Sequence, residues 1–380
     1  MSAGGAGQLW LAGGETLTAG TQSFTPGAQS FIPGVQSFTP GAATHVAVWS
    51  ATSPAGPWRA NTMEPVPGRD GPFEAILGFA RRGAQAVAFG SRPSPGEGYP
   101  RPSTWLSAGT GGVWQEQLEN REFFGGPYIV GLGGITAGPH GFTIAGTWSH
   151  FRGHAIATVW QSDDGTQWRR NDQDPSFAGA QGEIPFANDV ADNTSGLLLA
   201  GTADAPDPAR PTYQRGAIWY STSGARWQRL FAADANLNAG PRTVLSAVRD
   251  QGSGWIIGGT RGASGGERPF VWVVNTKLEL RAMPLPIPSG HKDAAVSGVA
   301  VSSNEVVAVG VADGGPAVWE APLVHGAPGR WRSVNAPRGP ALPGLRRVVV
   351  AASRTQVVVT MVNGDASQIW RAVLAAGSPS

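Results

Sequence analysis

The stretch Gly141–Trp168 reads GFTIAGTWSHFRGHAIATVWQSDDGTQW, and it holds one full copy of a pattern that recurs along the chain. An apolar run closed by glycine (GFTIAG) leads into a loop, then a second apolar run carrying Trp160, then a Ser-Asp-Gly turn that ends on Trp168. Runs of five to seven residues rich in Val, Ile and Trp and bounded by Gly or Pro read as β-strands, and helical periodicity is missing. The second run returns as VAVWS ending at Ser50, STWLS at Ser107, TVWQS at Ser162 and AIWYS at Ser221, then as FVWVV, AVWEA and QIWRA. Its tryptophans are Trp49, Trp105, Trp160, Trp219, Trp272, Trp319 and Trp370, spaced 47 to 59 residues apart. That period suits a four-stranded propeller blade and is too long for most helical repeats.

The other strands fall into the same frame. Upstream of each marked Trp stands QLWLAG, QAVAFG, GFTIAG, GLLLAG, GWIIGG, EVVAVG or QVVVTM. Downstream, Trp58, Trp114, Trp168, Trp227 and Trp331 open a further strand, with Leu278 to Leu280 in that place once. Runs such as EAILGFA, IPFANDVA, TVLSAVR, AAVSGVAV and LRRVVVAA precede the later copies. Naming the strands A to D from the hub outward gives seven B, seven C, six A and six D. The expected fold class is therefore all-β: one domain over residues 1–380, a seven-bladed β-propeller of four-stranded antiparallel blades. Closure is expected to be incomplete or improvised at the termini, because the first copy lacks an A strand and the last lacks a D strand before a flexible tail at 376–380. Either an upstream segment completes the ring, or residues 1–7 and the tail improvise the seam.

SDDGTQW (Ser162 to Trp168) reads as a turn clamp. A Ser hydroxyl and an Asp carboxylate can accept from turn N–H groups, Gly supplies positive φ, and the Trp fills the space between blades. It resembles a shortened Asp-box, the S-x-D-x-G-x-x-W signature of the BNR-repeat propellers found in sialidases, sortilins and many bacterial surface proteins. STSGARW at 221–227 and SAGTGGVW at 107–114 lack the Asp, and SATSPAGPW at 50–58 keeps only Ser, Gly and Trp. The resemblance implies a propeller in which the Asp-box marks the fold away from the ligand, so Asp164 is expected to be structural. Sialidase chemistry is not implied: the Arg-Ile-Pro tripeptide is absent, Tyr occurs only at 99, 128, 213 and 220, and Tyr220 falls in a C strand.

Composition bounds the rest. With 55 Gly, 31 Pro and 14% charged residues the chain is rich in turns, but 41% apolar residues and 15 Trp mark a packed protein. Of 28 basic residues only Lys277 and Lys292 are lysines, a bias that points to a GC-rich, bacterial genome. Arg–Arg pairs occur at Arg81–Arg82, Arg169–Arg170 and Arg346–Arg347, yet acids are interspersed and the net charge is +2, which excludes a nucleic-acid footprint. No Cys is present, so disulfides, thiolate metal sites and a cysteine nucleophile are excluded. No run approaches 18 apolar residues, so no membrane span is expected. The opening MSAGGAGQLW has no signal-peptide pattern, and an extracytoplasmic location is expected with the export signal lying upstream of this chain.

Propeller ligands are expected on the face carrying the B-to-C loops, at 14–44, 91–101, 147–155, 202–215, 260–268, 311–315 and 362–366, whose uneven lengths suggest adaptation to a partner. The first contains QSFTPGAQSFIPGVQSFTPG, Gln22 to Gly41, three heptads with Phe24, Phe31 and Phe38 in register. Each Pro-Gly fits a type II turn, and the segment is either a slipped duplication tolerated in a loop or an arm presenting three Phe to a partner. The third loop places His150, Arg152 and His154 together, with His140 just before strand B. No Asp or Glu lies between the histidines and the stretch is not helical, so hydrogen-bonded imidazoles or a polar ligand contact are expected before a metal site. Tyr99 and Arg101, Tyr213 and Arg215, and Arg268 complete the candidate ligand residues. They suit sugars, peptides or acidic groups, and equally an ordinary solvated rim.

The function expected from this is a non-enzymatic binding or scaffold propeller, without cofactor or metal, that holds a protein or glycan through its B-to-C face. The alternative is a hydrolase, lyase or cyclase at the mouth of the central channel. An enzyme would bring at least one Asp, Glu, His or Tyr there in a perturbed environment.

Overall fold

In the computed structural model the opening stretch is a pair of antiparallel strands followed by a clamped turn. The structure describes residues 2–3, 9–18, 21–25, 44–51, 59–67, 75–93, 100–108, 112–118, 128–149, 155–179, 183–204, 214–231, 234–263, 265–334, 347–352, 356–362 and 367–373. Ile129–Gly138, Gly141–Ser149, Ala155–Ser162 and Arg169–Asn171 pair antiparallel in chain order. The same unit is built by Ile184–Asn193, Gly196–Asp204, Gln214–Ser221 and Gln228–Leu230, and again by Arg242–Asp250, Gly254–Ala263, Gly266–Asn275 and Leu280–Pro284. Ala75–Arg82, Gln85–Pro93, Pro100–Ala108 and Val113–Glu116 precede them. Ala294–Val301, Glu305–Ala312, Gly315–Val324 and Arg332–Val334 follow.

The inner strands of successive units lie side by side: Ala75–Arg82 by Ile129–Gly138, that strand by Ile184–Asn193, then Arg242–Asp250, Ala294–Val301 and Arg347–Ala352 in turn. The chain is an all-β protein with a β-propeller arrangement.

The glycine that closes each second strand answers to a fixed contact. Every one of these inner strands but the last carries a register shift, at Ile76/Gly78, Leu132/Ile135, Ala187/Asp189, Leu245/Ala247 and Val296/Gly298. A β-bulge of this kind swings backbone toward the neighbouring strand. A Cβ on Gly201 would lie 1.9 Å from the Phe186 carbonyl oxygen, on Gly259 2.1 Å from that of Val244, and on Gly310 1.8 Å from that of Ala295. Over the same slot stand the indoles of the third strands: Trp105, Trp160, Trp219, Trp272 and Trp319 are fully buried. Trp219, Trp272 and Trp319 donate their Nε1–H to the carbonyls of Ser176, Asn236 and Pro286, at 2.7, 2.9 and 2.7 Å. Each acceptor lies in the connection that enters the tryptophan's own unit, so one ring closes the core and pins the crossover.

The SDDGTQW turn has the clamp geometry its residues predict. Ser162 Oγ accepts from Gly165 N at 2.8 Å, and Asp164 Oδ1 accepts from Thr166 N and Gln167 N at 2.8 and 3.0 Å. Gly165 has φ 75° and Trp168 Nε1 donates to its carbonyl. At 221–227 the Ser and Trp keep their bonds, Gly224 N to Ser221 Oγ at 2.7 Å and Trp227 Nε1 to Gly224 O at 2.9 Å. Asp174, from the crossover before that unit, accepts from Trp227 N.

Several expectations about the termini and loops are corrected. The first unit has an inner strand, since Ser2–Ala3 pairs with Leu9 and Trp10 and lies beside both Arg347–Ala352 and Ala75–Arg82. Two residues sufficed to escape notice, being too short for any periodicity. Residues 14–44 are not one loop: Leu9–Thr18 runs on as strand and Thr21–Thr25 pairs back on it, Phe24 opposite Glu15. The alternation of TQSFT supports a strand as well as a turn. In the loop expected at 260–268, residues up to Ala263 and from Gly266 onward are likewise strand, with Arg261 opposite Arg268 and Ala263 opposite Gly266. Arg101 pairs with Arg92 and Arg215 with Ala203, the first pairing continuing through Pro93, Pro100 and Pro102.

Two outcomes follow. Gly201→Ala should destabilise the protein by about 1–3 kcal/mol, whereas Gly131→Ala, whose Cβ would meet nothing nearer than 3.8 Å, should shift stability by less than about 0.5 kcal/mol, read from urea midpoints. Asp164→Ala should cost about 1–2 kcal/mol. The Gln167 backbone bond foremost, with those of Thr166 and Ser162, holds the Asp164 carboxyl well below the usual range. Its stabilisation is therefore present above the ordinary carboxyl value of about 3.9 and is lost as pH falls toward the lowered one, so the gap between wild type and variant should narrow below about pH 4.

Candidate active site

Ile184–Asn193 places acids where an apolar strand would be expected. Asp189, Asp192 and Asn193 are buried, and each is held by a neighbouring unit. The facing strand Ile129–Gly138 makes room with glycine: a Cβ on Gly134 would sit 1.9 Å from Asp189 Oδ1, and one on Gly138 2.6 Å from Asp192 Oδ2. On the other side Asp189 Oδ2 accepts from Val248 N at 3.0 Å and from Arg249 Nη1 at 2.5 Å. Asn193 Nδ2 donates to Asp250 Oδ1 at 3.0 Å and to Gly254 O at 3.2 Å. Asp250 Oδ1 also accepts from Gly252 N.

Within this cluster one pair has the form of an oriented acid–base group. Asp192 Oδ2 accepts from the backbone N–H of His140 at 3.0 Å, while its Oδ1 stands 2.6 Å from His140 Nδ1. The carboxylate side chain is 0% exposed and the imidazole 22%. A carboxylate can only accept from the imidazole, so the bond assigns the proton to Nδ1 and leaves Nε2 as the basic nitrogen on a partly open ring. The contact has the geometry of the base and its orienting carboxylate in a catalytic triad. Burial pushes the Asp192 carboxyl up; the bonds to His140 oppose the rise and the charge of Asp250 adds to it.

The pair lies at the turn between an inner strand and the next, Gly138 to Gly141, which is the opposite end of the ring from the B-to-C loops. At the B-to-C end several of the described charges pair with one another. Asp204 accepts from Gln214, Gln214 from Arg242, and Arg242 pairs with Glu267; Glu267 N in turn donates to Asp293. Arg268 donates to Lys292 O at 2.6 Å. Arg101 and Arg215 stand in strands, as does Phe24, so the loop placement given to Phe24, Arg101, Arg215 and Arg268 is corrected. His150, Arg152, His154, Tyr99, Tyr213, Phe31 and Phe38 lie outside the described residues. Sequence reasoning passed over Asp189, Asp192, Arg249 and Asp250. The legible signal was two acids three apart inside IPFANDVADN opposite the glycines of IVGLGGITAG.

Among the described residues no helix is long and apolar enough to cross a membrane, and no group of three or more His, Asp or Glu is placed to hold a metal ion.

No family model matches the sequence, and no curated protein matches it. Among solved structures it is similar to an α-L-arabinofuranosidase from Fusarium graminearum, at 10% identity over 83% of this chain and 97% of that one, TM-score 0.47. It is also similar to a β-fructofuranosidase from Bombyx mori, at 7% identity over 80% and 81%, TM-score 0.38. A third is an acylaminoacyl peptidase from Pyrococcus horikoshii, at 9% identity over 87% and 48%, TM-score 0.46. At these scores the likeness is a loose one of strand arrangement. The expectation of a non-enzymatic binding or scaffold propeller is nonetheless corrected by this set, in which the similar structures are enzymes.

The sign of the Asp192 shift sets a test. A carboxyl raised by folding contributes its stability below the ordinary carboxyl value and loses it as pH rises through the raised one. Asp192→Asn removes that loss, so its stability relative to wild type should improve from about pH 4 upward, read as urea midpoints across pH.

Proposed function

We propose that the protein is a hydrolase in which His140 acts as general acid and base and Asp192 positions it. In this reading the ring has seven blades: the inner strands run from Ser2–Ala3 through Ala75–Arg82, Ile129–Gly138, Ile184–Asn193, Arg242–Asp250 and Ala294–Val301 to Arg347–Ala352, which returns to Ser2–Ala3. The turn clamps at Ser162 and Ser221 support placing it among divergent BNR-type propellers. The observation that carries the activity is the 2.6 Å bond from His140 Nδ1 to a carboxylate with no solvent exposure of its own.

Neutral Nε2 takes a proton from water as that water attacks the substrate's electrophilic centre. The imidazolium so formed is stabilised by Asp192 and returns the proton to the leaving group as the scissile bond breaks. Water serves as nucleophile because, among the described residues, no Ser, Thr or Tyr side chain bonds to His140. Asp192 touches no substrate; it fixes tautomer and ring orientation through two units that cannot move apart without breaking the core.

The test is a panel of chromogenic glycosides and acyl esters with wild type, His140→Gln and Asp192→Asn. Hydrolysis is expected with at least one class, falling about 100-fold or more in His140→Gln. Asp192→Asn should lower kcat with little change in KM and alter the pH profile, which a purely structural carboxylate would not do. Full activity in His140→Gln, or no turnover across the panel, overturns the reading.

A further inference from the structure

Two of the three Arg–Arg pairs in the sequence meet beside His140, and the proposed chemistry uses neither. Arg82 ends the inner strand Ala75–Arg82 and reaches across to the next unit. Its Nη1 donates to Asp163 O at 3.0 Å and its Nη2 to Pro139 O at 3.5 Å. Pro139 is the residue before His140, so the guanidinium is tied to the very turn that carries the imidazole. Arg169 comes to the same place from the outer strand, with Nη2 3.8 Å from Asp163 Oδ2, both side chains being largely solvent-exposed.

The Arg82 fork is anchored but not neutralised. A guanidinium has five N–H donors, and here two bonds go to neutral carbonyl oxygens. Among the described residues no carboxylate pairs with Arg82. Asp192 is committed to His140 by two bonds, and Asp163 faces Arg169. The 3.0 Å bond to Asp163 O, with the longer contact to Pro139 O, tethers the exposed group beside the turn and leaves donors available for a planar oxyanion, which arginine recognises through paired hydrogen bonds.

We infer that Arg82 is the specificity-determining residue of the His140 site and that the substrate carries an oxyanion, a carboxylate by the fit of the planar fork, beside its scissile bond. This inference rests on the hydrolase reading for the word substrate, while the anion site itself does not. The carboxylate docks on Arg82, which spans the two units, and thereby sets the reacting centre against Nε2 of His140. A uronic acid residue is a compound of the right chemistry.

Binding of sodium glucuronate, glucose and inorganic phosphate should be measured by calorimetry at low salt on the full chain, for wild type, Arg82→Gln, Arg82→Lys and His140→Gln. Glucuronate is expected to bind at least tenfold more tightly than glucose. The preference should disappear in Arg82→Gln, be partly kept in Arg82→Lys, weaken with added salt and persist in His140→Gln. Phosphate binding as well as glucuronate would mark a general oxyanion site and overturn the carboxylate assignment. Equal binding of glucuronate and glucose, or a preference that survives Arg82→Gln, overturns the inference outright. Because these readouts need no turnover, hydrolysis that depends on His140 without an anion preference defeats this inference alone, and an anion preference without hydrolysis defeats the function alone.

Discussion

The architecture depends on a close approach of backbone to backbone. Three of the bulged inner strands push a carbonyl to within about 2 Å of where the Cβ of the next strand would stand, at Gly201, Gly259 and Gly310, and a fourth to 2.8 Å at Gly146. Only glycine admits that approach, and the space left above it is covered by the indole of the third strand. At Gly146 and Gly259 the built Cβ would lie 2.6 and 3.1 Å from Cζ3 of Trp160 and Trp272. Bulge, glycine and tryptophan are one device, since the bulge bends the strand, the glycine accepts the bend, and the ring restores the lost packing density. Repetition of that device sets the angle between units and therefore allows a ring.

This explains what could be read from the sequence. Tryptophans at a period near fifty, and glycines two strands before each clamp, are the direct imprint of the device. Strand order and the outer strands after Trp168 and Trp227 could be read with them. At 221–227 Ser223 stands in place of the Asp and accepts from Ala225 N at 3.4 Å, while Asp174 of the preceding crossover adds a bond to Trp227 N, a contact from fifty residues away that local spacing cannot disclose. Hairpin tips were harder. Arg101, Arg215 and Arg268 looked like loop residues by polarity, but backbone pairing does not stop where side chains become charged. Ser2–Ala3 was invisible for the opposite reason, since two small residues acquire a role only from the strands on either side.

The candidate site was less legible because its meaning is distributed over three units. Asp192 in isolation is an acid near a turn, Gly138 a turn residue, and His140 a polar residue before a strand. Only the fold brings them together, and then the glycine is seen to exist so that a carboxylate can lie flat against the neighbouring strand. Loop lengths drew attention to the B-to-C end, where Asp204, Gln214, Arg242 and Glu267 form a continuous hydrogen-bonded belt. Charges that complete one another across hairpins rigidify the described part of that rim.

At the other end the accounting differs in kind. Burying Asp192 beside Asp250 opposes ionisation, and the protein offsets this with one backbone and one imidazole donor from a different unit. The contact of Asn193 with Asp250 and Gly254 in the next junction runs the other way, its amide donating through Nδ2 where both Asp192 oxygens accept. A carboxylate accepts both His140 donors at once, one on each oxygen, which a single amide oxygen could not match. The rigidity of the ring bears on this pair, because the two partners sit on separate units packed on buried tryptophan. An imidazole held this way keeps its orientation without help from a ligand, and that preorganisation distinguishes the His140 turn from the other described turns between inner and second strands.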